Sequence, residues 1–188
     1  MAQLGKLGYG MEALRLMEKE LSKGLNIEYL NPRDYKSWIT YNISRPRPTT
    51  ASNEDIQILR SMIRKEKDFF TKINLIAILA EGGRVEEAVG YIKKLDFTKF
   101  HDFHDSTLIQ EGTVLSLGRI NSPEIRKILL EILNAYPKLA TLVGEVFLQQ
   151  GIRSKKVIRE LKRILNNELI GLRERDHAAL LLIQMGAL

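Results

Sequence analysis

Apolar residues recur along this chain at steps of three and four for almost its whole length. In DIQILRSMIRKEK, Ile56, Leu59, Met62 and Ile63 trace one face of a helix. Ser52 with Asp55 three residues later forms a capping box in its acidic form, which predicts a helix start near Asn53. NPRDYKSWITYNI opens with Asn31 as N-cap and Pro32 in the first turn, after which Tyr35, Trp38, Ile39 and Ile43 share a face. Ser122 and Pro123 repeat that opening before Ile125, Ile128, Leu129 and Ile132, and Ser154 precedes the stripe Val157, Ile158, Leu161, Ile164 and Leu165. Alternating apolar–polar runs are essentially missing. The predicted class is all-α, with about ten or eleven helices joined by short turns. The clear interruption is SRPRPTTASN, where two prolines disfavour helix on both sides of each ring. Residues 44–53 read as a linker loop between an N-terminal helical piece, 1–43, and a main array, 54–188.

The stretch AILAEGGRVEEAV, residues 77–89, joins the end of one helix to the start of the next, and it recurs. A shift of 75 residues lays AQLGKLGYGMEALRLMEKEL over AILAEGGRVEEAVGYIKKLD, matching Leu4 with Leu79, Gly8 with Gly83 and Glu12 with Glu87. A shift of 69 lays LQQGIRSKKVIRELKRI over LAEGGRVEEAVGYIKKL, and LGRINSPEIRKILLEIL lies between with a turn one residue shorter. The anchors Leu79, Leu117, Leu148 and Leu182 are spaced 38, 31 and 34 residues apart. Each unit is a helix ending on glycine, which takes the left-handed cap conformation without a Cβ clash, followed by a second, antiparallel helix. Small residues (Ala77, Ala80, Ala88, Gly90) allow close approach of the two axes. One such pair cannot bury its stripe, but stacked pairs can, so the expected architecture is an α-α superhelix, a right-handed solenoid of antiparallel helix pairs. The competing reading is an irregular bundle whose glycine-ended helices merely look alike.

LGRINSPEIRKILLEIL and RDHAALLLIQMG resemble HEAT repeats, particularly the short variety of bilin-lyase-like proteins. AILAEGGRVEEAVGYIKK is similar to tetratricopeptide or pentatricopeptide units. The resemblance covers about two-thirds of the chain. It departs from the tetratricopeptide pattern in lacking its tryptophan and proline at fixed positions, and from the HEAT pattern in having only part of its aspartate–arginine pairing. Both families imply a binding surface, a non-catalytic scaffold role and a protein partner.

Composition narrows the function classes. A chain of 188 residues with 44% hydrophobic and 28% charged residues can bury a core. It has no cysteine, which excludes disulfides, thiolate metal sites and cysteine nucleophiles, and fits a reducing cytoplasm. MAQLGKLGYGME lacks the pattern of a signal peptide, and the longest apolar run, HAALLLIQMGAL, is far below the roughly 20 residues that span a bilayer, so no membrane association is expected. No G-x-S-x-G, H-E-x-x-H or phosphate-loop motif occurs, and GYG and EGG read as cap glycines. The expectation is no enzyme, no catalytic residue, no metal and no cofactor.

Four places remain as candidates. FHDFHDS, residues 100–106, offers His101, Asp102, His104 and Asp105 as metal ligands, but Phe97, Phe100 and Phe103 at three-residue steps favour a joint between repeats. His177 reads as a surface or helix–helix contact, and Glu86 and Glu87 as first-turn acids complementing the helix dipole. Tyr29, Tyr35, Trp38 and Tyr41 cluster in the N-terminal piece, as a cap or as a partner anchor. The strongest candidate is basic. Residues 151–175 carry eight basic residues against three acidic ones, within a chain of net charge +6. Lys155, Arg159 and Lys162 step by four and three along one side of a helix, Lys156 and Arg163 flank them, and Arg173 follows in the next. Such a ridge binds nucleic-acid phosphates or an acidic protein, or is simply a solvated face; it lacks aromatics for stacking on single-strand bases. The last residues, LLLIQMGAL, end the array without a polar cap, which predicts self-association through that helix or a place within a longer repeat protein.

Overall fold

The computed structural model describes residues 52–97, 100 and 107–188. Among the described residues the regular structure is helical throughout, with eight α-helices and no strand. The N-terminal piece, the linker up to residue 51 and the four-aromatic cluster lie outside the described residues. The chain divides into two compact units, Met1–Ser116 and Leu117–Leu188.

In the first unit, α1 (Asn53–Lys65) begins where the sequence places it. Ser52 Oγ accepts from the Asp55 amide at 3.1 Å, and the Ser52 amide donates back to the Asp55 carboxylate at 3.1 Å. Its stripe Ile56, Leu59, Met62 and Ile63 is buried against the rest of the unit. Helix α2 (Phe69–Glu81) starts on Asp68, whose carboxylate accepts from the Thr71 amide at 2.8 Å. This helix is buried all round: from Phe69 to Ala80 every residue except Lys72 is buried. A helix apolar on all sides belongs to a core rather than a surface. Helix α3 (Val85–Ile92) folds back on α2 after a three-residue turn. Beyond it Phe97 meets Phe69 edge-on at 5.5 Å and Phe100 is buried, as expected of phenylalanines at a joint.

Helix α4 (Thr107–Gly118) runs alongside α2. Phe70 packs at Gly112 and Asn74 bonds Ser116, so each helix advances four residues between the two contacts and the pair is parallel. Alternate helices also meet at α1 and α3, through the bidentate pair of Arg60 with Glu87.

In the second unit, α5 (Pro123–Ala135) starts on Ser122 with Pro123 in the first turn. A 3₁₀ turn, Pro137–Leu139, leads to α6 (Ala140–Gln149), followed by α7 (Lys155–Leu165) and α8 (Leu172–Gln184). Helix α6 packs on α5, α7 and α8, and α7 packs on α8. The stripe Val157, Leu161 and Ile164 is buried, with Ile158 and Leu165 half-buried.

Three of the turns close on a left-handed glycine: Gly83 at φ 84°, Gly151 at φ 70° and Gly186 at φ 60°. Each carries a Schellman pair of bonds. Gly83 N–H donates to Ala80 O and Arg84 N–H to Leu79 O; Gly151 donates to Leu148 and Ile152 to Phe147; Gly186 donates to Ile183 and Ala187 to Leu182. The glycine that falls in the cap is therefore Gly83, not Gly82, and the structural register between the first two turns is 68 residues where the sequence alignment used 69. Gly118 has no left-handed φ. It serves close approach instead, since a Cβ there would stand 2.5 and 2.7 Å from the two Val146 methyl carbons. Gly112 does the same against Phe70, and Gly144 lies among Leu161, Leu181 and Val157. Gly90, assigned that role from sequence, has nothing within 4 Å of a built Cβ, whereas Ala77, Ala80 and Ala88 are buried.

These positions separate two uses of glycine. Gly118→Ala is expected to destabilise the protein by about 1–3 kcal/mol through overpacking, and Val146→Ala to relieve part of that loss. Gly151→Ala, with open space around it, costs about 1 kcal/mol from its backbone alone, with no such rescue. Urea unfolding of the single and double variants measures both.

Candidate functional site

The basic ridge is assembled by α7 and the first turn of α8. Ser154 Oγ accepts from the Val157 amide at 3.4 Å and sets the start of α7, so that Val157, Leu161 and Ile164 turn inward. Lys155, Arg159, Lys162 and Arg163 are consequently exposed on the opposite side. Glu160, between them, lies 3.5 Å from Arg159 and 3.8 Å from Arg163, whose side chains are 73% and 74% exposed. One carboxylate shared at those distances leaves the ridge positive.

Lys156 departs from the group. It is half-buried, and its Nζ donates to Leu130 O in α5 at 3.1 Å, so it holds two helices together. Arg175 does likewise: its Nε donates to Leu165 O, the last carbonyl of α7, at 3.2 Å. That bond satisfies an acceptor the helix itself cannot. It also fixes the first turn of α8 beside the last turn of α7, which brings exposed Arg173 to the same end of the hairpin as Lys162 and Arg163. Five of the six ridge residues named from sequence are thus solvent-facing, and the sixth is structural.

Helix electrostatics divide the ridge: they favour Lys162 and Arg163 in the last turn of α7 and oppose the cations at its start. Lys155 and Lys156 occupy the first turn of α7, and that turn has no acid. Arg173 occupies the first turn of α8 beside Glu174. The partial positive charge of a helix N-terminus disfavours cations there.

Exposed leucines were missed in the sequence reading of this end. Leu169, in the α7–α8 turn, is 96% exposed and Leu172 72%. The signal was present in NNELIGLRERD, where two leucines flank a glycine among polar residues.

Away from the ridge, His177 Nε2 sits 2.8 Å from Glu145 Oε1 and ties α8 to α6, the helix–helix contact expected of it. The His101, Asp102, His104 and Asp105 set lies outside the described residues, and among the described residues no group of three or more candidate ligands could hold a metal ion. No helix of the described residues is long and apolar enough to cross a membrane.

A buried polar seam on α2 and α4 was also not foreseen. Asn74, Gln110, Thr113 and Ser116 are fully buried. Ser116 Oγ stands within hydrogen-bonding reach of both Gly112 O, at 2.8 Å, and the Asn74 amide. A hydroxyl has one proton, so with Gly112 O as its acceptor the Asn74 amide must donate. Turning that amide presents Nδ2 to Ser116 and gives a partner to a nitrogen that is otherwise buried without one. Gln110 Oε1, Gln110 Nε2 and Thr113 Oγ1 are buried without a hydrogen-bond partner.

Comparison with known protein families, with curated proteins and with solved structures finds no match to this chain.

The resolved pKa shifts among the described residues fall on a structural pair. Arg60 Nε and Nη2 reach the two oxygens of Glu87 at 2.8 and 2.7 Å. This bond, ahead of the Coulombic attraction, holds the Glu87 carboxyl below its ordinary value of 4.5, while partial burial works against it. Glu87 therefore has a second role beside the first-turn placement read from sequence. Because its folded pKa is depressed, its stabilisation is present in full above pH 4.5 and fades as pH falls below that value through the folded pKa. Glu87→Gln should lower the thermal midpoint at pH 7, and wild type and variant should converge in strong acid. Melting curves from pH 7 to pH 2 test this.

Proposed function

We propose that this chain is a non-catalytic helical-repeat scaffold that binds a protein partner, with the exposed cations of α7 and α8 as its contact surface. The observation that carries the reading is the left-handed glycine cap that closes the α2–α3 and α6–α7 hairpins and recurs at the end of α8. The left-handed glycines at 83, 151 and 186 stand 68 and 35 residues apart, and α4 ends at Gly118, midway between the first two. That gives a step of about 34 residues, the tetratricopeptide length and shorter than the roughly 40–47 of ordinary HEAT units. Contacts between alternate helices, α1 with α3, α2 with α4 and α6 with α8, accompany contacts between consecutive ones. Within each unit, such contacts support a reading as stacked helix pairs. The HEAT-like and tetratricopeptide-like resemblances both fit a scaffold of this kind, and a chain without cysteine suits a reducing cytoplasm.

A second reading, nucleic-acid binding through the same ridge, is favoured by one observation. Lys155, Arg159, Lys162 and Arg163 line a helix side with a single acid among them. Phosphate contacts need no more than that.

Two measurements test these readings. Small-angle scattering of an extended superhelix gives a radius of gyration well above the about 16 Å of a compact chain of this length; a value at 16 Å rejects the superhelix. Anisotropy titration of a labelled DNA duplex at 50 and 200 mM salt separates the partner classes. The scaffold reading expects no measurable affinity at either salt. Binding that falls by orders of magnitude between them, and is abolished by Arg159→Glu with Lys162→Glu, establishes the nucleic-acid reading instead.

A further inference from the structure

We draw no further inference here: the strongest candidate, the exposed apolar stripe of Leu172, Leu180 and Ile183 along α8, carries nothing, because exposed Glu168, Glu174 and Asp176 stand among the cations around it and nothing in the structure shows what covers it.

Discussion

Two hairpins of this chain, α2–α3 and α6–α7, depend on one backbone constraint. A helix leaves its last carbonyls without partners, and a chain that must reverse within a few residues has little room to satisfy them. The three Schellman turns solve this by donating two amides back into the final turn, from Gly83 and Arg84, Gly151 and Ile152, and Gly186 and Ala187. The geometry requires a positive φ at the first of each pair, where a side chain costs about 1 kcal/mol and glycine costs none. Given that turn, α3 is delivered onto α2 and α7 onto α6, and the buried stripes follow. The end of α4 shows the constraint from its other side. There the chain continues without a left-handed residue, and the glycine is used to let Val146 approach.

How much of this was legible in the sequence depends on whether the signal is local. The N-caps at Ser52, Ser122 and Ser154 were readable because a serine and the amide three residues on are neighbours in the chain. The stripes of α1, α5 and α7 were readable because one face of each meets water. Helix α2 shows almost no stripe, being buried on every side, and only its ends were marked. The pairs Arg60–Glu87 and Asn74–Ser116 span 27 and 42 residues and leave no trace in either local segment. The leucine anchors are spaced 38, 31 and 34 residues apart, and the unevenness centres on Leu117, whose turn has no left-handed glycine. Leu79 and Leu182 accept from the residue after the glycine, whereas Leu148 accepts from the glycine itself. Leucines thus mark the turn to within one residue, and the glycine conformation fixes it.

For the basic surface, the rows of residues were visible in sequence but their duties were not. Lys156 and Arg175 look like any other member of the ridge until their carbonyl partners at Leu130 and Leu165 are known. Removing these two from the set leaves a group with no role in packing.

That remainder is informative because the same chain shows the alternative. Helices α1, α3 and α5 begin with acids, Glu54 and Asp55, Glu86 and Glu87, and Glu124, which is the placement helix dipoles favour. Helix α7 begins with Lys155 and Lys156 and no acid, whereas α8 has both Arg173 and Glu174 in its first turn. Each cation at such a position forgoes or opposes about 0.3–1 kcal/mol. The exposed cations along α7 also repel one another with only Glu160 between them. Solubility alone is served equally well by the mixed charges found on the other helices. The two lysines that open α7 set it apart from α1, α3 and α5, and such a local departure is where function is expected to outweigh stability. Here it coincides with the end of the chain that leaves leucines in water. Two costs, one electrostatic at the start of α7 and one hydrophobic on α8, fall on a single hairpin.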